Sequence, residues 1–272
     1  MGSSSFAGCT LSYGVCVALL ALACCVMCAR GAVPALYVLG DSQADVGNNN
    51  YLPESLLKAN FPHNGVDYPG GKATGRFSNG YNFVDLLGGA GVSDLTNKGQ
   101  CISFDEQIER DYSQVEAALV QQLGQPQASI HLAKSLFVVA IGGNDIINHV
   151  LLSPASQLIR SQDQIITSLA DTLKRQLQSM YGLGMRRLFF LGGAPLGCCP
   201  LLLEQSPNKE CHAEANYLSA RYNVAVTALL RDMGATHPDM SYVFFDTYTT
   251  LLQYIQEPEA HVMYYYSTTD FN

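Results

Sequence analysis

Two polar clusters stand where an apolar run ends. Ala35-Leu-Tyr-Val-Leu39 leads into Gly40-Asp41-Ser42, and Leu136-Phe-Val-Val-Ala-Ile141 leads into Gly142-Gly143-Asn144-Asp145. A serine in such a loop can attack a carbonyl carbon when a base takes its proton. An asparagine there can donate its side-chain amide to the oxyanion that develops. The same residue types also make turns and helix caps, and position alone leaves both readings open.

Other chemistries lack their motifs. No Gly-x-Ser-x-Gly elbow occurs, which argues against an ordinary α/β-hydrolase. Gly70-Gly71-Lys72 stands in the context of a phosphate loop, but Val66 replaces its first glycine and Ala73 its Ser or Thr. Asp41, Asp45 and Asn48 do not have calcium-loop spacing. Beyond Cys28 no Cys-x-x-Cys pair and no His at zinc-finger spacing remains, so the sequence implies no metal, and no residue pattern calls for a cofactor.

The elements that must position the two clusters are legible as periodicity. Four short runs, Ala35–Leu39, Leu136–Ile141, Arg187–Leu191 and Tyr242–Phe245, are solidly apolar rather than alternating. That pattern predicts strands of a parallel sheet covered on both faces. Between them, Gln107–Leu123 has apolar residues at 108, 112, 115, 119 and 123. Gln164–Tyr181 has them at 165, 166, 169, 173, 177 and 180, and Ala213–Met233 at 217, 218, 222, 226, 229, 230 and 233. These are helical stripes. Alternating strand and helix predicts an α/β fold with right-handed crossovers, and sites in such sheets lie at the C-terminal ends of the strands. Residues 43–82, rich in Asn, Gly and Pro, read as a long surface excursion.

The 272 residues are 48% hydrophobic and 14% charged, with a formal net charge of -8. That composition supplies a packed core and argues against nucleic-acid binding, which needs clustered positive charge. Residues Val15–Cys28 form an apolar run, VCVALLALACCVMC, too short for a span of about 20 residues. With Ala29-Arg30-Gly31 after it, the segment 1–31 reads as a signal peptide and 32–272 as one domain of a secreted, extracellular protein; an uncleaved anchor is the rival reading. No later run has spanning length, so no integral membrane span would remain after cleavage. Cys101, Cys198, Cys199 and Cys211 lie beyond the signal, an even number that permits disulfides in an oxidising compartment. Oligomeric state leaves no mark in the sequence.

Val38-Leu-Gly-Asp-Ser-Gln-Ala-Asp-Val-Gly-Asn-Asn-Asn50 resembles the first block of the plant-type GDSL esterase/lipases of the SGNH-hydrolase superfamily, with Gln43 in place of Leu. Thr74-Gly-Arg-Phe-Ser-Asn-Gly80, Gly88-Gly-Ala-Gly91, Ala140-Ile-Gly-Gly-Asn-Asp145 and Gly193-Ala-Pro-Leu-Gly-Cys-Cys-Pro200 resemble later blocks, in order. The resemblance implies a three-layer α/β/α sandwich of SGNH-hydrolase (flavodoxin-like) type and hydrolysis of small-molecule or lipid esters. It implies Ser42 as nucleophile. The oxyanion hole would comprise the Ser42 and Gly88 backbone N–H groups with the Asn144 side chain. Asp41 and Asp145 would order loops, and Cys198 or Cys199 would pair with Cys211.

Two departures carry expectations of their own. Phe83-Val-Asp-Leu-Leu87 runs directly into Gly88, where the family has a longer segment that includes a strand, so the sheet is expected to be incomplete. The family's Asp-x-x-His, the orienting acid and general base, has no counterpart: no Asp in the chain has His three residues on. The chain therefore reads as truncated or divergent after Ala260, with impaired turnover, an acyl- or ester-binding role instead, or no function as a truncated isoform. Of His63, His131, His149, His212, His237 and His261, the sequence puts His149, close after Asn144, and His261, in the divergent tail, ahead as substitute bases.

Overall fold

The computed structural model describes residues 33–41, 47–62, 64–66, 70–76, 91–98, 100–151 and 161–261. The expected signal peptide, Ser42, His63, the Phe77–Gly80 part of the second block, Gly88 and the tail 262–272 lie outside the described residues. Packing divides the chain into two compact units, residues 34–251 and residues 1–33 with 252–272.

Among the described residues of 34–251, four strands form one parallel sheet: β1 (Leu36–Gly40), β2 (Leu136–Ala140), β3 (Arg187–Leu191) and β4 (Ser241–Phe245), paired in that order. The α/β parallel-sheet reading is borne out. Among the described strands the order never reverses, and right-handed crossovers then place the described connecting helices on one face. The contacts agree. Tyr37, Leu39, Phe137, Val139, Leu188, Phe190, Tyr242 and Phe244 point to one face and share a core with helical residues such as Ile166, Leu173, Leu177, Tyr222, Val226 and Leu230. Each buried side chain of this size stabilises by roughly 1.5–3 kcal/mol. The opposite face carries a small cluster, Val38 and Val138 with Leu136, Phe189 and Leu191 against them. On β4 that face is open, with Val243 54% and Phe245 41% exposed. The expectation of strands covered on both faces therefore fails at β4, which lies at the sheet edge.

The longer helices among the described residues are α1 (Ser113–Leu123), α2 (Gln125–Lys134), α3 (Gly143–Leu151), α4 (Gln162–Gly182), α5 (Pro200–Gln205), α6 (Ala213–Thr236) and α7 (Thr247–Gln256). The stripes read for α4 and α6 are buried apart from Tyr217, which is exposed. The stripe read from Gln107 to Leu123 is only half right: Ile108 and Tyr112 are buried, while Val115 and Leu123 are exposed. The cause is local. Phe104–Glu106 opens a helix that passes into a π-helical stretch, Gln107–Tyr112, before α1. Its extra residue per turn rotates the apolar face out of phase. The excursion 43–82 is not wholly at the surface either: Asn49 and Ala59 are each 1% exposed. In the second unit, the end of α7 is followed by a 3-10 turn, Pro258–His261, with the Ala260 N–H donating to Glu257 O at 3.1 Å.

A charged clasp ties the turn at residues 91–98 to the helices. The Asp105 carboxylate accepts both terminal nitrogens of Arg175 at 2.9 Å, joining the helix start to α4. Asp94 meets the same carboxylate. Its partial burial, its hydrogen bond with Asp105 and the Asp105 charge push the Asp94 carboxyl up to about 6; Arg175 pulls it down and Glu109 adds to the rise. A carboxyl raised by folding contributes stability that is whole below its unfolded value near 4 and fades as pH rises through about 6. The parent should therefore lose thermal stability relative to Asp94→Asn, whose side chain stays neutral, between about pH 4 and 7. Melting curves of both proteins across that range check it, and a difference independent of pH would contradict the clasp.

Candidate active site

The C-terminal ends of β1, β2 and β3 each break into a glycine turn. Gly40 has φ +155, and a Cβ there would lie 2.1 Å from Ala140 O, so no side chain fits. The Asp41 N–H still donates to Ala140 O at 2.9 Å, extending the pairing by one residue toward Ser42. Past β2, Gly142 takes φ +107 with the Tyr222 ring 2.5 Å from its Cβ position, and α3 begins at Gly143. Asn144 is half-buried in the first turn of α3. The Asp41 carboxylate, 2% exposed, lies 3.7 Å from the Cβ position of Gly143. The turn that leads into Ser42 and the helix start that carries Asn144 are thus brought together.

Asp145 joins the third block to them. It is buried and accepts from Val92 N (2.7 Å), Ser93 N (3.0 Å) and Thr96 Oγ1 (2.7 Å). The segment directly after Gly88-Gly-Ala-Gly91 is therefore wrapped around the residue next to Asn144. Burial pushes the Asp145 carboxyl upward, against the lowering effect of those donors. Gln176 adds a donor to Val92 O at 2.9 Å.

The remaining turns are held by one face of α6. Tyr222 OH donates to Ile141 O at 3.0 Å. Asn223 accepts from Gly193 N (2.7 Å) and donates to Gly193 O (2.9 Å). Ser219 Oγ donates to Ala194 O at 2.6 Å, and Asn216 Oδ1 accepts from Gly197 N at 2.7 Å. A disulfide joins Cys198 to Cys211 with Cα atoms 4.3 Å apart, and Cys199 is a free thiol. In the chain-entropy view a loop of this length stabilises by about 3 kcal/mol. Sequence reasoning missed Gln107, Ser219 and Asn223 altogether and took Tyr222 for a plain core residue. The available signal was polar side chains interleaved with a buried apolar stripe, as with Ser219 and Asn223 beside Leu218 and Val226.

The histidines with described side chains have other settings. His131, on α2, lies 3.3 Å from Tyr37 OH, toward the opposite end of β1 from Gly40. His212 accepts from Ala215 N as the cap of α6, and His237 stacks on Tyr181 at 4.0 Å. His149 lies five residues past Asn144 on α3, roughly 140° around the helix. His261 is described in backbone only.

The comparisons with known proteins agree with the arrangement. A family model of GDSL-like lipase/acylhydrolase matches residues 36–265. GDSL esterase/lipase At5g55050 of Arabidopsis thaliana is 34% identical, over 84% of this chain and 71% of its own length. GDSL esterase/lipase At5g37690 of the same plant is 31% identical, over 82% of this chain and 71% of its own. Strand-end turns built from the family's blocks, the matching family model and these relatives together show that the chain belongs to the plant GDSL esterase/lipase family of hydrolases.

Proposed function

We propose that this protein acts on carboxylic esters through an acyl intermediate on Ser42, with the oxyanion held by the Ser42 and Gly88 backbone N–H groups and the Asn144 side chain. The observation that carries the reading is the approach of the Asp41 carboxylate to Gly143, which sets the approach to Ser42 beside the residue that precedes Asn144. In the reaction the Ser42 oxygen attacks the ester carbonyl, the alcohol leaves, and water then releases the acid. Each oxyanion donor of this kind is worth about 3 kcal/mol of barrier. The apolar run at 15–28 supports secretion, and the substrate class is small-molecule or lipid esters.

We propose further that turnover by this chain is low. No Asp has His three residues on, and the fully described histidines are placed as caps, ring partners or on another helical face. Without a base, a serine nucleophile loses on the order of a million-fold, and about a thousand-fold over water remains from oxyanion binding. The same observation favours a second reading, in which the site holds acyl groups without turning them over.

Hydrolysis of a short-chain p-nitrophenyl ester by the purified protein tests both. The parent should stay within about tenfold of Ser42→Ala, and added imidazole, a base in solution, should raise the parent more than that variant. Asn144→Ala should cut the imidazole-supported difference by about 10²-fold or more. A parent exceeding Ser42→Ala by about 10³-fold without imidazole would show that a base is present and overturn the low-turnover proposal. No response of either protein to imidazole would leave acyl holding as the better reading.

A further inference from the structure

β1 has β2 on one side, and among the described strands nothing pairs with its other edge. Strand geometry alternates, so Ala35 O and Asp41 N bond to β2 while the Gly40 peptide groups face the open edge. There they meet the Gln107 side chain. Gly40 N donates to Gln107 Oε1 at 3.0 Å, and Gln107 Nε2 donates to Gly40 O at 3.0 Å. The second Nε2 hydrogen serves Ile102 O at 3.1 Å. Gln107 is 1% exposed and lies 67 residues from Gly40. One side-chain amide thus does for the last residue of β1 what a neighbouring strand's peptide would do, two residues before Ser42. Gln107 also opens the π-helical stretch, a feature often found at functional sites.

We infer that Gln107 is a positioning residue for position 42: its amide fixes the Gly40 peptide, and through it the direction in which the chain leaves the sheet at Asp41. The inference rests on the reading of Ser42 as nucleophile. Packing is secured by the next residues along the helix, since Ile108 and Tyr112 are the buried apolar members of this stretch. The polar capacity of Gln107 goes wholly to backbone. With the amide removed, two buried peptide groups lose their partners. Unpaired, the Gly40 peptide is no longer held in the orientation that the Gln107 amide imposes. Displacement of reacting groups by about 1 Å can cost about 10²-fold in rate.

The test needs no turnover. In a Ser42→Cys background, iodoacetamide labelling of residue 42 is followed by peptide mass spectrometry, with half-buried Cys199 as reference. Three proteins are compared over roughly pH 5 to 9: the Gln107 parent, Gln107→Leu and Gln107→Glu. Gln107→Leu should change the residue-42 rate by about fivefold or more with Cys199 unaffected. Gln107→Glu should match the parent at the acid end, where a protonated carboxyl both donates and accepts, and follow Gln107→Leu as it ionises. Residue-42 rates equal within about twofold in all three proteins would overturn the positioning role and leave the nucleophile reading intact. Parallel changes at both cysteines would also overturn it, since the effect would then be general loosening. A residue-42 thiol that resists labelling even beside Gln107 would overturn the nucleophile reading and the inference with it.

Discussion

A strand that ends inside a protein leaves peptide N–H and C=O groups that must be paired, because each one buried without a partner costs about 1–3 kcal/mol. The rest of this site depends on how that constraint is met. At Gly40 the partner is the Gln107 amide, at Gly193 the Asn223 amide, and at Ile141 and Ala194 the hydroxyls of Tyr222 and Ser219. Val92 and Ser93 bond to the Asp145 carboxylate. A carboxamide matches a peptide group for group, so Gln107 and Asn223 each satisfy a donor and an acceptor of one glycine at once. Glycine is required at Gly40 because the backbone of β2 stands where a side chain would be.

The consequence is a rigid floor beneath the proposed chemistry. The helix start at Gly143 is aimed by its own turn, by Tyr222 on Ile141 and by Asp145 on the 92–96 segment. A helix N-terminus also favours the negative charge that an ester carbonyl acquires under attack. Because the partners come from the start of the first helical run, from α3 and from α6, the turns are fixed to the same helices that form the core against β1–β4. Electrostatic preorganisation of this kind is useful only when donors do not have to move as charge develops.

Much of this was legible in the sequence. The four strands were, because their apolar runs are uninterrupted, and α4 and α6 were, because long stripes repeat over more than four turns. The short α2 was not read: its apolar positions are few, although Pro126 in its first turn and the buried pair Ala128 and Leu132 mark it in retrospect. The π-helical stretch has no periodic signature, and it put Val115 on the wrong face. The proposed roles of Ser42, Gly88 and Asn144 came from the family blocks. Gln107 was not, since a glutamine near a helix start reads as surface and its partner lies 67 residues away. Polar residues within apolar stripes are pointers to such clamps, as Ser219 and Asn223 show once their partners are known.

Native-state hydrogen exchange followed by NMR tests the central claim most directly. The Gly40, Val92, Ser93 and Gly193 amides have side-chain acceptors rather than strand or helix partners. If side chains bind the strand ends into the core, these amides should exchange about as slowly as those of β2 and β3. Exchange within about tenfold of an unstructured chain, with the sheet still protected, would contradict the account and leave the strand-end turns as ordinary mobile loops.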